Sequence, residues 1–123
     1  MTKILLVEDN EFNRIMLSRR LELKQYEIIC AIDGQEAVDM TKAELPDLIL
    51  MDLSLPVKDG LTATKEIKAN KLTQHIPVIA LTAHAMDDDK NEALMAGCDE
   101  FETKPVQFKQ LLKKMDSFLY FRE

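Results

Sequence analysis

Three short runs of apolar residues most constrain how this chain can fold. They occupy residues 4–7, 48–51 and 78–81, and each is continuously apolar instead of alternating with polar residues. Strands that are covered on both faces of a parallel sheet have this pattern, whereas a strand with one solvated face alternates. The runs therefore predict the central strands of a parallel sheet.

Segments of helical length separate these strands. Two weaker strand candidates lie at 27–31 and at 100–102, just after Gly97. The predicted helices cover residues 10–24, 35–43, 60–69, 87–96 and 107–121. Five strand–helix repeats in 123 residues predict one α/β domain over residues 1–123, with a five-stranded parallel sheet and helices on both faces.

Two of the predicted helices show distinct apolar patterns. The last has one stripe with helical spacing, formed by Phe108, Leu111, Leu112, Met115, Phe118 and Leu119. The first is split, with Met16, Leu17 and Leu21 on one stripe and Phe12, Ile15 and Leu23 beside it. One of the two faces of the first helix is therefore expected to be exposed.

The charge balance excludes some classes of ligand and location. With 16 Lys and Arg against 22 Asp and Glu, the net charge is −6, which disfavours nucleic acid as a ligand. No stretch approaches the ~20 apolar residues of a membrane span, so we expect a cytoplasmic protein with no membrane partner. Cys30 and Cys98 lack the spacing of metal ligands and are interpreted as small apolar residues.

Polar residues follow the predicted strands where ligands bind in parallel α/β sheets. The first strand ends in Glu8-Asp9, the third in Asp52 and the fourth in Thr82, and Lys104 follows the fifth. Three carboxylates at neighbouring strand ends repel one another unless a cation or a proton lies between them. Oxygen ligands without His or Cys favour Mg²⁺, which prefers a site shared with a phosphate.

The same side chains suit phosphoryl transfer. An Asp carboxylate can attack phosphorus while a hydroxyl and an ammonium bind the phosphoryl oxygens, and Asp52, Thr82 and Lys104 supply these three groups. The charged groups each have an ordinary structural explanation alone: Glu8-Asp9 as caps of the first helix, Asp52 as a turn acid and Lys104 as a surface cation. Their convergence at one edge of the sheet favours the chemical interpretation.

Five motifs together resemble the receiver domain of two-component response regulators along the whole chain. They are VEDN at 7–10, DLILMD at 47–52, LPVKDG at 55–60, ALTAHA at 80–85 and F-x-x-K-P at 101–105. The resemblance implies a flavodoxin-like fold with strand order 2-1-3-4-5, as in the single-domain chemotaxis regulator.

The resemblance also implies roles for the acidic residues. Asp52 would accept the phosphoryl group, and Glu8, Asp9 and Asp52 would bind Mg²⁺ together with the backbone carbonyl of Ser54. A cis peptide bond is implied between Lys104 and Pro105. Lys58 departs from the apolar residue that the family often carries there, which leaves the packing of that loop open.

Further roles concern the phosphorylated state. Thr82 and Lys104 would bind phosphoryl oxygens, and Phe101 would be the aromatic residue that rotates on activation together with Thr82. Ser54 and His84 occupy positions that tune the lifetime of the phosphoryl group. His84 is equally consistent with an ordinary exposed loop histidine.

Other proteins are the expected partners. The phosphodonor would be a histidine kinase or a histidine phosphotransfer protein, and the output a contact with an unidentified downstream protein target. Phe12 and Ile15 adjoin the acidic residues and are candidates for donor contacts, although as core residues they would need no such role. The acidic segment 86–102 and the basic segment 104–123 would lie side by side and could steer a target. A monomer or weak dimer is expected.

Three other functions remain as alternatives. An Asp-nucleophile phosphatase or phosphotransferase would carry a second Asp two residues after the first, where this chain has Ser54. A flavin-binding protein would need a phosphate loop rich in glycine and hydroxyl residues after the first strand, where this chain has acids. A pseudo-receiver would signal without phosphate, which the full set of acids, Thr82 and Lys104 disfavours. The main hypothesis is a stand-alone receiver that catalyses only its own phosphorylation and dephosphorylation.

Overall fold

Strands and helices alternate along the chain. The structure, a computed structural model, describes residues 1–83 and 87–119. The strands are β1 (Lys3–Val7), β2 (Glu27–Ala31), β3 (Leu48–Asp52), β4 (Val78–Thr82) and β5 (Glu100–Thr103). The helices are α1 (Glu11–Glu22), α2 (Gly34–Glu44), α3 (Gly60–Ala69), α4 (Asp87–Met95) and α5 (Phe108–Leu119). The predicted alternation is confirmed, with element ends that differ by no more than two residues.

All neighbouring strands in the sheet are parallel. Their order is β2-β1-β3-β4-β5, which confirms the order 2-1-3-4-5. Asp52 pairs with Leu81 and Thr82 with Thr103, so the strands reach the same edge of the sheet nearly in register. The residues that follow the strands are therefore brought together at that edge.

The central strands are buried on both faces, as their continuous apolar runs predict. Leu5, Ile49 and Met51 belong to one apolar layer, while Leu6 and Leu50 belong to the opposite layer. Neighbouring residues thus alternate between the two layers because successive side chains of a strand point to opposite faces.

Asn or Asp residues begin the first three helices at the site edge of the sheet. The side chains of Asn10, Asp33 and Asp59 each accept a hydrogen bond from the backbone amide three residues later, at 2.9, 2.7 and 2.8 Å. Such N-caps bind one of the amides that a helix leaves without an internal partner. These local signals set the directions in which the chain leaves β1, β2 and the loop after β3.

The two apolar helices pack as their patterns suggest, with one exception. On α5, Leu111 and Met115 are buried within the predicted stripe. On α1, Leu21 is buried and Phe12 is 69% exposed, so the face beside the core stripe is open. Met16 lies on the same stripe as Leu21, yet it is 47% exposed and lines a groove next to the carboxyl edge of the sheet.

The cysteines agree with their interpretation as small apolar residues. Cys98 is buried, and burial raises the pKa of its thiol to about 11. Cys30 is half-buried against the layer beneath α1 and α5. Within the described residues, no helix is long and apolar enough to cross a bilayer.

Candidate functional site

Three carboxylates meet at the carboxyl ends of β1 and β3. Asp52 is the last residue of β3, and Glu8 and Asp9 directly follow β1. Glu8 and Asp52 are buried, each with 4% of its surface exposed, whereas Asp9 is exposed. One oxygen of each carboxylate lies within 4.8 Å of the others. The structure therefore brings the three predicted acids into one cluster.

Lys104 joins the two buried carboxylates of this cluster. Its Nζ lies 2.7 Å from Glu8 Oε1 and 2.9 Å from Asp52 Oδ2. The Lys104–Pro105 peptide bond is cis, as the resemblance implies. The backbone amide of Ser54 donates a hydrogen bond to the other Asp52 oxygen, Oδ1, at 2.9 Å. Both oxygens of Asp52 are thus held in place.

The charges in the site are strongly coupled. Burial raises the pKa of the Glu8 carboxyl; Lys104 opposes this change, and Asp52 adds to it. Burial by itself lowers the pKa of the Lys104 ammonium, but its hydrogen bonds to Glu8 and Asp52 outweigh that effect and leave the pKa raised. Lys104 is therefore charged at neutral pH. One ammonium cannot neutralise three carboxylates, so the cluster still favours a further cation.

Arg14 holds the loop that carries Glu8 and Asp9. Its Nη1 donates to the backbone carbonyl oxygen of Glu8 at 2.9 Å and lies 3.4 Å from that of Asp9. The backbone amide of Asn10 also donates to Glu8 Oε2 at 3.3 Å. These contacts fix the peptide groups from which the two acids extend.

The loop between β3 and α3 packs tightly behind Asp52. A Cβ atom built on Gly60 would lie 2.3 Å from the backbone oxygen of Asp52, so only glycine fits there. Val57 has φ +67° and its side chain is 84% exposed, and the amide of Lys58 donates to the carbonyl of Pro56 across it at 2.7 Å. Lys58 itself forms an ion pair with Glu66 of α3, and this contact shows how the loop accommodates a lysine where the family often has an apolar residue.

Two of the remaining predicted residues lie on β4 and β5, and Ser54 lies in the segment after β3. Thr82 ends β4 and is buried. Phe101 pairs with Ala80 in the neighbouring strand and is buried in the layer that also contains Ala80. Ser54 is exposed beside Asp52. His84 lies outside the described residues.

A groove of about 490 Å³ opens beside the acidic cluster. Apolar side chains of Met16, Leu17 and Val106 line it together with the charged Glu8 and Lys104. The groove lies between α1 and the segment that connects β5 to α5. Apolar and charged side chains therefore lie side by side in this groove next to the cluster.

Arg14 and Gly60 are site residues that the sequence analysis did not single out. Arg14 occupies the position on α1 where a long basic side chain can turn back to the preceding loop. Gly60 follows Asp59 at the start of a predicted helix, where glycine is not required by helix formation. The place of Arg14 on α1 and the glycine at position 60 are visible in the sequence as signs of a possible contact. Neither indicates which group is contacted.

With this geometry in view, comparison with known proteins identifies the family. A sequence model of the response regulator receiver domain matches residues 4–116. The chain belongs to this family. It is therefore a phosphorylation-dependent signalling domain of two-component systems, and the family consists of signalling domains and not of enzymes with separate substrates.

Relatives of this receiver domain cover almost all of its length. It is 40% identical over 120 residues to the polar-differentiation response regulator DivK of Brucella ovis, an alignment that spans 97% of this chain and 98% of DivK. The receiver domain of a Pseudomonas aeruginosa sensor histidine kinase, solved with a magnesium ion in its active site cleft, is 37% identical with a TM-score of 0.89, over 95% and 96% of the two chains.

A third similar protein was solved with a partner. It is a response regulator receiver domain of Saccharomyces cerevisiae, in a co-crystal with a histidine phosphotransfer signalling protein. Identity is 35% and the TM-score is 0.89, over 95% of this chain and 88% of the other.

Proposed function

We propose that this receiver domain accepts a phosphoryl group on Asp52 from a phosphohistidine, in a Mg²⁺-dependent reaction, and signals through protein contacts. The observation that carries this proposal is the convergence of three carboxylates and one ammonium at the carboxyl edge of a receiver sheet. The phosphodonor is a histidine kinase or a histidine phosphotransfer protein.

Asp52 is the nucleophile in this reaction. One carboxylate oxygen attacks phosphorus, the P–N bond of the phosphohistidine breaks, and the imidazole nitrogen keeps the electron pair and takes up a proton. The Ser54 amide and Lys104 already hold the two oxygens of Asp52, so little reorganisation precedes the attack. Lys104 and Thr82 then bind oxygens of the transferred group.

The donor set fits a hard divalent cation. Glu8, Asp9 and Asp52 would hold Mg²⁺ with the backbone carbonyl of Ser54, and the cluster offers oxygen ligands without His or Cys. Bound there, Mg²⁺ would neutralise part of the charge on the phosphoryl oxygens. Arg14 keeps the loop that carries Glu8 and Asp9 in one conformation.

The phosphorylated state is read through Thr82 and Phe101. Phosphorylation adds about −1.5 to −2 charges, which draws the Thr82 hydroxyl and the Lys104 ammonium toward the new group. Movement of Thr82 opens space in the layer that holds the Phe101 ring, and rotation of that ring changes the surface near α4 and α5. Ser54 and His84 tune the lifetime of the phosphoryl group.

The groove beside α1 is the docking site for the phosphodonor. Phe12, Ile15 and Met16 are exposed on α1, and Met16 lines the groove that contains Glu8 and Lys104. Apolar contacts at this surface would seat a donor helix with its phosphohistidine next to Asp52. The acidic α4 and the basic α5 supply the surface for a downstream target.

Phosphorylation by a small donor tests the central step. The protein is incubated with Mg²⁺ and phosphoramidate, whose P–N bond resembles that of phosphohistidine, and the intact mass is measured. We expect one phosphoryl adduct in the wild type, none in Asp52→Asn and none when Mg²⁺ is removed with a chelator. The matched control Asp39→Asn changes an exposed acid on α2 and should give the wild-type yield.

Two results would contradict the proposal. A full adduct in Asp52→Asn would move the acceptor to another residue. Sustained turnover of a phosphomonoester such as p-nitrophenyl phosphate would favour the phosphatase alternative, because a receiver domain has no such separate substrate.

A further inference from the structure

The backbone of Phe101 is tied to α5 at the open edge of the sheet. Among the described residues, β5 is an edge strand that pairs with β4 alone, so its outward backbone groups need partners outside the sheet. The Phe101 amide donates to Glu100 Oε1 at 2.9 Å, and the Phe101 carbonyl accepts from Lys114 Nζ at 2.6 Å. Side chains therefore bind both hydrogen-bonding groups of this residue.

The same ammonium also faces a buried carboxylate. Glu102 is 3% exposed, and its Oε2 lies 3.0 Å from Lys114 Nζ. Within residues 1–83 and 87–119 this oxygen accepts no hydrogen bond, so the contact is one of charge only. A buried carboxylate is unfavourable without a nearby cation. Lys114 thus contacts two consecutive residues of β5, one by a directed hydrogen bond and one by charge.

Apolar packing does not make the same connection. The buried residues of the layer beneath α5 come from β1, β3 and β4 as well as from α1 and α5, and none comes from β5. Apolar contacts also allow small sliding movements, whereas a hydrogen bond is sensitive to direction and distance. The contacts of Lys114 are therefore well placed to make α5 follow a movement of β5.

We propose that Lys114 is a positioning residue that couples the end of β5 at the phosphorylation site to α5. Lys104 directly follows β5, two residues beyond Glu102, and contacts Asp52. A shift of Lys104 toward a phosphoryl group displaces β5, and the Phe101 carbonyl carries Lys114 and its helix along. This inference rests on the proposed function, because it assumes that Asp52 is the acceptor.

Amide NMR with beryllofluoride, a phosphoryl analogue, tests this coupling. Spectra of the uniformly ¹⁵N-labelled protein are recorded with Mg²⁺ before and after the addition of beryllofluoride. In the wild type we expect shifts around Asp52 and Thr82 and also along α5. In Lys114→Met the pocket shifts should remain, while the α5 shifts should fall to less than about a third of their wild-type size.

Lys113→Met is the matched control, because Lys113 is the exposed neighbour of Lys114 on the same helix. It should keep the wild-type response. Lys114→Met leaves Glu102 buried without its cation and could lower stability, so Glu102→Gln/Lys114→Met is measured as well. This double variant removes the buried charge and should still lack the α5 response.

The outcomes separate this inference from the proposed function. A wild-type α5 response in Lys114→Met or in the double variant overturns the coupling role, as does equal loss in Lys113→Met. If the wild type shows no shift around Asp52, the proposed function fails at its first step, whatever the lysine variants do. The coupling is supported if both Lys114 variants keep the shifts around Asp52 and Thr82 but lose the shifts along α5.

Discussion

Replacement of Gly60 by alanine should damage the phosphorylation site although the residue has no side chain in it. The new Cβ would lie 2.3 Å from the backbone oxygen of Asp52 and 2.8 Å from Leu53 Cα. Both neighbours are backbone atoms at the end of a buried strand, so neither can rotate away. The clash has to be relieved by displacement of the β3–α3 loop or of Asp52 itself.

The size of this displacement follows from the distance. Ordinary van der Waals contact begins near 3.4 Å, so the two atoms must separate by about 1 Å. A misplacement of about 1 Å in a catalytic group costs up to about 100-fold in rate. Alanine also has a higher helix propensity than glycine by about 1 kcal/mol, which opposes the loss in stability but does not restore the position of Asp52.

We therefore expect Gly60→Ala to be phosphorylated about 10- to 100-fold more slowly than the wild type. The assay follows the intact mass over time with phosphoramidate and Mg²⁺. Gly97→Ala is the control, since Gly97 has φ +107° and lies between α4 and β5 at the opposite edge of the sheet. It should lose about 1–3 kcal/mol of unfolding free energy from backbone strain and keep the wild-type rate.

Two results would refute this reasoning. Phosphorylation of Gly60→Ala within about twofold of the wild type would mean that the loop absorbs the clash without moving Asp52. An equal loss of rate in Gly97→Ala would mean that general destabilisation, and not the local contact, controls the reaction.

Three further predictions follow from other contacts. Arg14→Gln should weaken Mg²⁺ binding about 10-fold in calorimetry, because it releases the loop that carries Glu8 and Asp9. The control Arg19→Gln, at an exposed position of the same helix, should bind Mg²⁺ like the wild type. If Arg14→Gln also bound Mg²⁺ with wild-type affinity, Arg14 would not be a positioning residue. The variant Cys30→Ser leaves Cys98 as the single thiol, and burial raises the pKa of that thiol to about 11. Because only the thiolate reacts, Cys98 in the native protein should react with iodoacetamide at pH 8 at least about 100-fold more slowly than after unfolding in urea. A fast reaction of the native protein would contradict the burial of Cys98. Val57→Gly should raise the free energy of unfolding by about 0.5–1 kcal/mol because glycine adopts φ +67° without strain, and a lower urea midpoint would refute this.

Much of the fold was predictable because its signals are local. Apolar runs four residues long indicate strands that are covered on both faces, and Asn10, Asp33 and Asp59 mark helix starts through hydrogen bonds only three residues long. The parallel arrangement then places the residues after each strand at one edge. Glu8, Asp52 and Lys104 could therefore be assigned to one site before any distance was known.

The side-chain contacts within the site were not predictable in the same way. Met16 shares an apolar stripe of α1 with Leu17 and Leu21, yet it is 47% exposed and lines the groove. Arg14 could equally have pointed to solvent from an exposed helix. The spacing of apolar residues predicts which face of a helix is apolar. It does not predict which residues of that face the rest of the protein covers.

The sequence by itself determined the strand–helix order, the acidic character of the site and the residue types available for phosphoryl transfer. The tertiary structure decided which of those groups touch. Lys104 contacts Glu8 and Asp52 across 96 and 52 residues of chain, and Gly60 is required only because the Asp52 carbonyl lies against it. The burial of Glu102 beneath Lys114 likewise depends on how α5 crosses the edge strand. Local patterns determine local conformation, whereas contacts between distant residues depend on how the packed elements are positioned against one another.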